Sequence, residues 1–378
     1  MKVLILPSHY ITDYKPRNID LFKSYIRNIL KKKFSFNEAK SHFYLNEHYH
    51  YSHIPLANTS GETFIVGNYF YDYITKKIPN TTRYPSLHNS PKGNHIKFED
   101  ALNDLSNFDA IIVGIRSGDF GKKILKEASK KNIFSCIIDY ADDFDVYNES
   151  NFSNYNLIFR GFEYKKEFNL YFKHDVPLNL DLDFVEPLAP MPIKLENYPK
   201  LTKKTFNQKK YNFSFVGRIH NNIHNARSDI INLLKKIKGE YYLKEYAFND
   251  NRRLTLLDYC NILNDSKICL TPWGKVWDSA RHPEPAVYGN VPLIPRPNCK
   301  LANDISLNDE NAIVYETKNI NGKFTIDNQD KLLNKIEICL NNNDHFNYLK
   351  NNWYEEMYNK NTLFERAKYI LKQIKLRI

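Results

Sequence analysis

Short apolar runs and helically spaced ones alternate along most of this chain. KVLIL, DAIIVGI and IFSCIID are brief, almost unbroken hydrophobic stretches of the kind buried parallel strands show, whereas NIDLFKSYIRNIL and GKKILKEASKKN carry apolar residues every three or four positions. Such strand–helix–strand alternation predicts a parallel sheet. A polar, basic stretch without periodicity, LENYPKLTKKTFNQKKYN, interrupts it. The alternation then restarts with FSFVG, a helix bearing Ile230, Ile231, Leu234 and Ile237 on one face, a helical stretch around LTLLDYCNIL, and the strands KICLT and VPLI. The pattern predicts an α/β protein of two doubly wound, Rossmann-like domains facing a cleft. The first covers 1–197 and the second 212–354, with a linker at 198–211 and a C-terminal segment, 355–378, whose helix packs back toward the first domain.

Composition agrees with that size. A chain of 378 residues, 42% hydrophobic and 26% charged, suits two ordinary globular domains. The first apolar run, Val3 to Leu6, is too short for a signal peptide, and no later run approaches the length of a membrane span. Cys136, Cys260, Cys269, Cys299 and Cys339 are widely spaced without a C-x-x-C pair, which reads as reduced thiols in a cytoplasmic protein. TLFERAKYILKQIKLRI sets Leu363, Ala367, Ile370, Leu371 and Ile374 opposite Lys368, Lys372 and Lys375. That pattern suits a terminal helix docked on the body, and leaves open a peripheral contact with the inner membrane face.

Charge is uneven. Residues 1–200 hold 26 Lys and Arg against 24 Asp and Glu, while residues 201–378 hold 28 against 19. The second half is therefore suited to an anion: a nucleic-acid backbone, a lipid headgroup or a small phosphorylated ligand. A solvated lysine-rich surface is the plainer alternative.

In open parallel sheets ligands bind at the carboxyl ends of the strands. Two such connections in the second domain carry suitable chemistry. After FSFVG, Gly217 lets the backbone turn or approach a ligand, and Arg218 and Arg227 follow; guanidinium forks match phosphate oxygens. After KICLT comes PWGKVWDSARHPEPAVYG, with Pro272, Trp273 and Gly274 in a turn and Pro283, Glu284 and Pro285 opening a helix that Gly289 ends. Prolines are tolerated in a helix's first turn. The result is a stiff connection that places Asp278, Ser279, Arg281 and Glu284 near a helix start, where an anion is favoured.

These residues resemble the donor-binding domain of GT-B glycosyltransferases. DSARHPEP followed by GNVPLI is similar to the exostosin-like pattern, small-x-Arg-x-x-Glu-Ala before Gly-x-x-Pro-(Val/Leu)-Ile, and VGR resembles the phosphate-binding turn of the family-4 retaining enzymes. The likeness covers Phe213 to Pro297 well and the rest only as architecture. It implies that Ser279 and Arg281 face the donor phosphates and that Glu284 bonds the nucleotide ribose. Gly217, Arg218, Arg227, Trp273, Gly274 and Asp278 complete the expected donor wall. The implied partners are a nucleotide-sugar co-substrate and a glycan, glycolipid or glycoprotein acceptor, with no separate cofactor. Pro285 stands where the family has Ala, and Val276 where its retaining members carry a second Glu. Inversion of the anomeric centre is therefore expected, with a base from the first domain: His9, Asp13 or Asp119, each just after a strand.

Other signals compete. DYADDFD and the Asp181–Asp183 pair suggest a metal, but arginines facing the leaving phosphate make one unnecessary, so no metal is expected. His48, His50 and His53 in EHYHYSH suit a transition metal, or more simply an aromatic acceptor-side loop. A nucleic-acid-directed transferase or polyanion-binding protein would use the basic second half, although the chain carries no zinc-finger spacing and no RNP-like motif. A non-catalytic scaffold of the same fold is the third alternative.

Overall fold

The computed structural model describes residues 3–6, 63–66, 94–96, 98–114, 118–139, 158–159, 162–163, 167–190, 193, 198–217, 226–245, 254–273, 277, 279, 281–320 and 323–378. The helix expected over NIDLFKSYIRNIL, together with His9, Asp13, His48, His50, His53, Arg218, Gly274, Val276 and Asp278, lies outside them. The chain divides into two compact units, Met1–Leu188 with Leu363–Ile378, and Ala189–Thr362.

The first unit is built on a seven-stranded sheet. Its strands are β1 (Val3–Leu6), β2 (Thr63–Val66), β3 (Asn94–Ile96), β4 (Ala110–Gly114), β5 (Phe134–Asp139), β8 (Leu170–Lys173) and β9 (Val185–Pro187). A short hairpin, β6 (Ile158–Phe159) and β7 (Phe162–Glu163), stands apart from it. The order is β3-β2-β1-β4-β5-β8-β9 and every pair is parallel. All of β4 is buried, as its unbroken AIIVG requires. Helices α1 (Phe98–Asn103) and α2 (Gly118–Lys130) are joined to this sheet through Ala101, Ile124, Leu125 and Ala128. The C-terminal helix, Leu363–Lys375, belongs to this unit, with Tyr369, Ile370, Leu371 and Ile374 buried and Lys368 exposed. Tyr369 donates to Glu186 at 2.6 Å and Arg377 pairs with the same carboxylate, tying the helix to β9.

The second unit has a five-stranded parallel sheet of β10 (Tyr211–Gly217), β11 (Tyr241–Glu245), β12 (Ser266–Leu270), β13 (Val291–Pro295) and β14 (Ile313–Tyr315), ordered β11-β10-β12-β13-β14. A hairpin, β15 (Thr317–Ile320) and β16 (Lys323–Ile326), follows. Side chains alternate between two apolar layers, as the period of two demands. Phe213, Phe215, Ile268, Leu270, Val291, Leu293, Ile313 and Tyr315 pack with α3 (Ala226–Leu234) and α6 (Gln329–Asn341). Cys269, Ile294 and Val314 point the other way, into a layer with α4 (Leu256–Asn264), α5 (Glu284–Tyr288) and α7 (Asn343–Lys360) that also holds Trp273, Trp277 and Trp353. Each sheet is doubly wound and Rossmann-like in its order, so the fold class is α/β.

The unit boundary falls at Leu188/Ala189, ahead of the basic segment expected to be a linker. That segment packs on the second unit. Lys204 pairs with Asp265, Phe206 packs at a tilt against Phe346 with ring centroids 5.1 Å apart, and the buried Lys209 ammonium donates to the carbonyls of Asn264 and Tyr288 at 3.1 and 3.3 Å. Those carbonyls end α4 and α5, where unpaired C=O groups favour a cation. The segment lacks periodicity because it contacts the unit residue by residue and not through one face.

Candidate functional site

Strand order reverses between β10 and β12, the position where an open parallel sheet leaves a crevice beyond its strand ends. Gly217 ends β10 and Thr271 follows β12 at this edge. A small cavity there encloses about 10 Å³, the room for a single water. Ser214 and Phe215 of β10, Thr271, Tyr259, Arg281 and Glu284 are among the residues that line it.

The connection after β12 is held by its own buried groups. Trp277 is fully buried and its indole N–H donates to the Pro295 carbonyl at 2.9 Å. The ring of His282, also fully buried, lies 4.6 Å from that indole and bonds the Trp277 carbonyl through Nε2 at 2.6 Å. Burial pushes the His282 imidazole down to about 4, against a smaller opposing pull from that carbonyl, so it is neutral at pH 7. The Arg281 amide donates to Ser279 Oγ at 3.3 Å, which closes the turn. The following helix is only five residues, and Gly289 ends it at φ 65, in the left-handed region that glycine enters without strain. The helix is too short, and Pro283 and Pro285 too poor in N–H groups, for its start to hold the anion expected there. Two guanidinium groups, Arg281 and Arg227, lie at this edge instead.

Arg281 packs against Gly217. A side chain at 217 would overlap the guanidinium and would lie 3.0 Å from Phe215 Cζ. The guanidinium also rests over the Phe215 ring, 5.6 Å from its centroid, a cation–π contact. Gly217 thus leaves room for the Arg281 guanidinium to lie against a connection that the sequence separates from it by more than sixty positions. Arg227, in the first turn of α3, is half-buried and donates to the Trp273 carbonyl. Its pKa falls to about 10, through burial first and the neighbouring Arg281 charge second. Arg227 therefore stays charged at neutral pH, and two guanidiniums at one sheet edge favour an anion between them.

Glu284 balances this pair in part. Its half-buried carboxylate accepts from Tyr198 at 3.1 Å through Oε1 and from Tyr259 through Oε2. Burial raises its pKa, while Arg281 and then the two phenols pull it back.

Gly217, Arg227, Arg281 and Glu284 therefore meet at one edge, with Ser279 beside them. The Trp273 ring is buried in the apolar layer, and the residue reaches the edge through its carbonyl. Asp119 is exposed in the first turn of α2, in the first unit. Sequence reasoning misses Tyr198 and Tyr259. Tyr198 sits in the aperiodic segment, and Tyr259 reads as one more apolar position of α4, so neither carries a signal apart from its hydroxyl.

No protein-family model matches the chain, and no curated protein sequence matches it. Several solved structures are similar. HepE of Anabaena in complex with UDP aligns over the whole of both chains at 9% identity with a TM-score of 0.47. Sucrose-phosphate synthase from Thermosynechococcus elongatus aligns over 100% of this chain and 99% of its own at 10% identity and the same score. A glycosyltransferase from Rickettsia africae covers 99% and 98% at 9% identity, with a TM-score of 0.46. At these scores the fold assignment rests on the two parallel sheets.

Proposed function

We propose that this protein is a GT-B-type glycosyltransferase that takes a sugar from a nucleotide-sugar donor to a glycan or glycoconjugate acceptor. One observation carries the reading: Arg281 and Arg227, from separate strand-to-helix connections, converge at the β10/β12 switch beside a carboxylate. A departing nucleoside diphosphate develops negative charge on its phosphate oxygens. Preorganised guanidiniums stabilise that charge as it forms. They supply what a divalent cation supplies in other transferases, so the transfer is read as metal-independent. Glu284 faces the ribose, where a carboxylate accepts from two vicinal hydroxyls. Val276, in place of a second glutamate, favours inversion, with the acceptor proton taken by His9, Asp13 or Asp119.

The test is turnover. The full chain is incubated with UDP-, GDP-, ADP- and dTDP-sugars, and release of nucleoside diphosphate is followed with and without glycan acceptors. One nucleotide series should be consumed, and Arg281→Ala should reduce the rate at least about 100-fold, the scale of losing one preorganised charge partner. Release from none of them, with no ligand-induced rise in melting temperature, contradicts the reading.

A further inference from the structure

Glu284 is held from two sides by phenols that belong to different parts of the second unit. Tyr198, in the segment before β10, bonds Oε1; Tyr259 lies on α4 and bonds Oε2. An ionised carboxylate offers about four lone-pair directions, two on each oxygen. One phenol on each oxygen leaves acceptor capacity on both oxygens, and two acceptors on one carboxylate match the two donors of a vicinal diol. The tyrosines are fixed in turn. Tyr198 packs edge-on against Tyr288, with ring centroids 6.4 Å apart, and Tyr288 donates to the Pro199 carbonyl at 2.9 Å.

We propose that Tyr198 and Tyr259 are positioning residues that hold the Glu284 carboxylate, ionised and oriented, for the two hydroxyls of a ribose. The inference rests on the donor-site reading above and extends it to residues outside the resembling motif. The groups facing Glu284 are Tyr198 from the segment before β10, Tyr259 and Cys260 from α4, Cys269 from β12, Arg281 from its own connection and Tyr288 at the end of α5. Burial raises the pKa of both thiols and all three phenols, so these stay protonated at neutral pH. Arg281 and the two bonded phenols favour the carboxylate against its burial. Removing either phenol therefore moves the Glu284 titration to higher pH and weakens ribose binding on the acid side first.

The experiment uses the full chain as wild type, Tyr198→Phe, Tyr259→Phe, the double variant and Glu284→Gln. Binding of UDP, GDP, ADP and inorganic pyrophosphate is measured by calorimetry from pH 5 to 8. The Glu284 carboxyl is titrated without ligand by carbon-13 NMR, assigned by its loss in Glu284→Gln. Each Tyr→Phe change should weaken the bound nucleoside diphosphate by roughly tenfold at pH 7, shift the acid limb of its binding profile upward, and leave pyrophosphate unchanged. Glu284→Gln should flatten the profile. Equal weakening of pyrophosphate and nucleotide, or variants with wild-type profiles and an unmoved Glu284 titration, overturns the proposal. If the wild type binds no nucleoside diphosphate the donor-site reading fails, and the carboxyl titration alone then decides whether the phenols hold Glu284.

Discussion

Protonation of His282 should unfasten the connection that carries Arg281 and Glu284. The imidazole is fully buried beside Trp277, and its pKa is about 4 against an ordinary 6.5. The unfolded chain therefore binds a proton between these values that the folded chain refuses, and stability rises with pH across that window. The His282 contribution is complete above about pH 6.5 and is lost as pH falls to about 4. A difference of that size corresponds to about 3 kcal/mol, a large share of the stability of a typical domain. His282→Gln keeps a donor for the Trp277 carbonyl and does not titrate in this range. Urea unfolding followed by tryptophan fluorescence isolates the effect, because Trp273, Trp277 and Trp353 all lie in the second unit. Between pH 7 and pH 4 the wild type should lose about 3 kcal/mol more than the variant. Parallel losses would refute the assignment of His282 as a buried neutral group.

Three further outcomes follow from the same contacts. Gly217→Ala should displace the Arg281 guanidinium and weaken pyrophosphate binding roughly tenfold in calorimetry, while the melting temperature changes little. Glu284→Gln should weaken a nucleoside diphosphate but leave pyrophosphate untouched, since the carboxylate is assigned to the ribose alone. Trp277→Phe strands the Pro295 carbonyl without its indole donor and should cost about 1–3 kcal/mol in urea unfolding of the second unit.

Much of this arrangement is legible in the sequence because parallel sheets impose two strong rules. Buried strands such as AIIVG and VPLIP must be continuously apolar, and functional residues must follow their carboxyl ends. The candidate residues Gly217, Arg281 and Glu284 lie at or after such strand ends, which is why they stand out in the amino-acid sequence alone. The boundary between units does not obey such a rule. Residues 198–211 look like a linker because their contacts, Lys204 to Asp265 and Lys209 to two helix ends, are individual polar bonds that leave no period. Tyr198 is hidden for the same reason. A buried trio in the first unit is hidden differently: Tyr171 donates to Asp139 at 2.8 Å and Lys173 lies 3.3 Å from the same oxygen. Asp139 and Lys173 end neighbouring strands β5 and β8, and only strand register shows that they meet.

A diphosphate site formed by Arg281 and Arg227 loses one of its two guanidiniums in Arg281→Ala, and calorimetric titration of that variant with inorganic pyrophosphate and with UDP, GDP and ADP measures the loss. One charge-assisted hydrogen bond is worth roughly 1.5–3 kcal/mol, so the variant should bind pyrophosphate and the preferred nucleotide about 10- to 150-fold more weakly. Arg281→Lys should recover only part of this loss, since an ammonium lacks the fork. Pyrophosphate and nucleotide affinities equal to those of the wild type in Arg281→Ala would rule out a diphosphate site at Arg281.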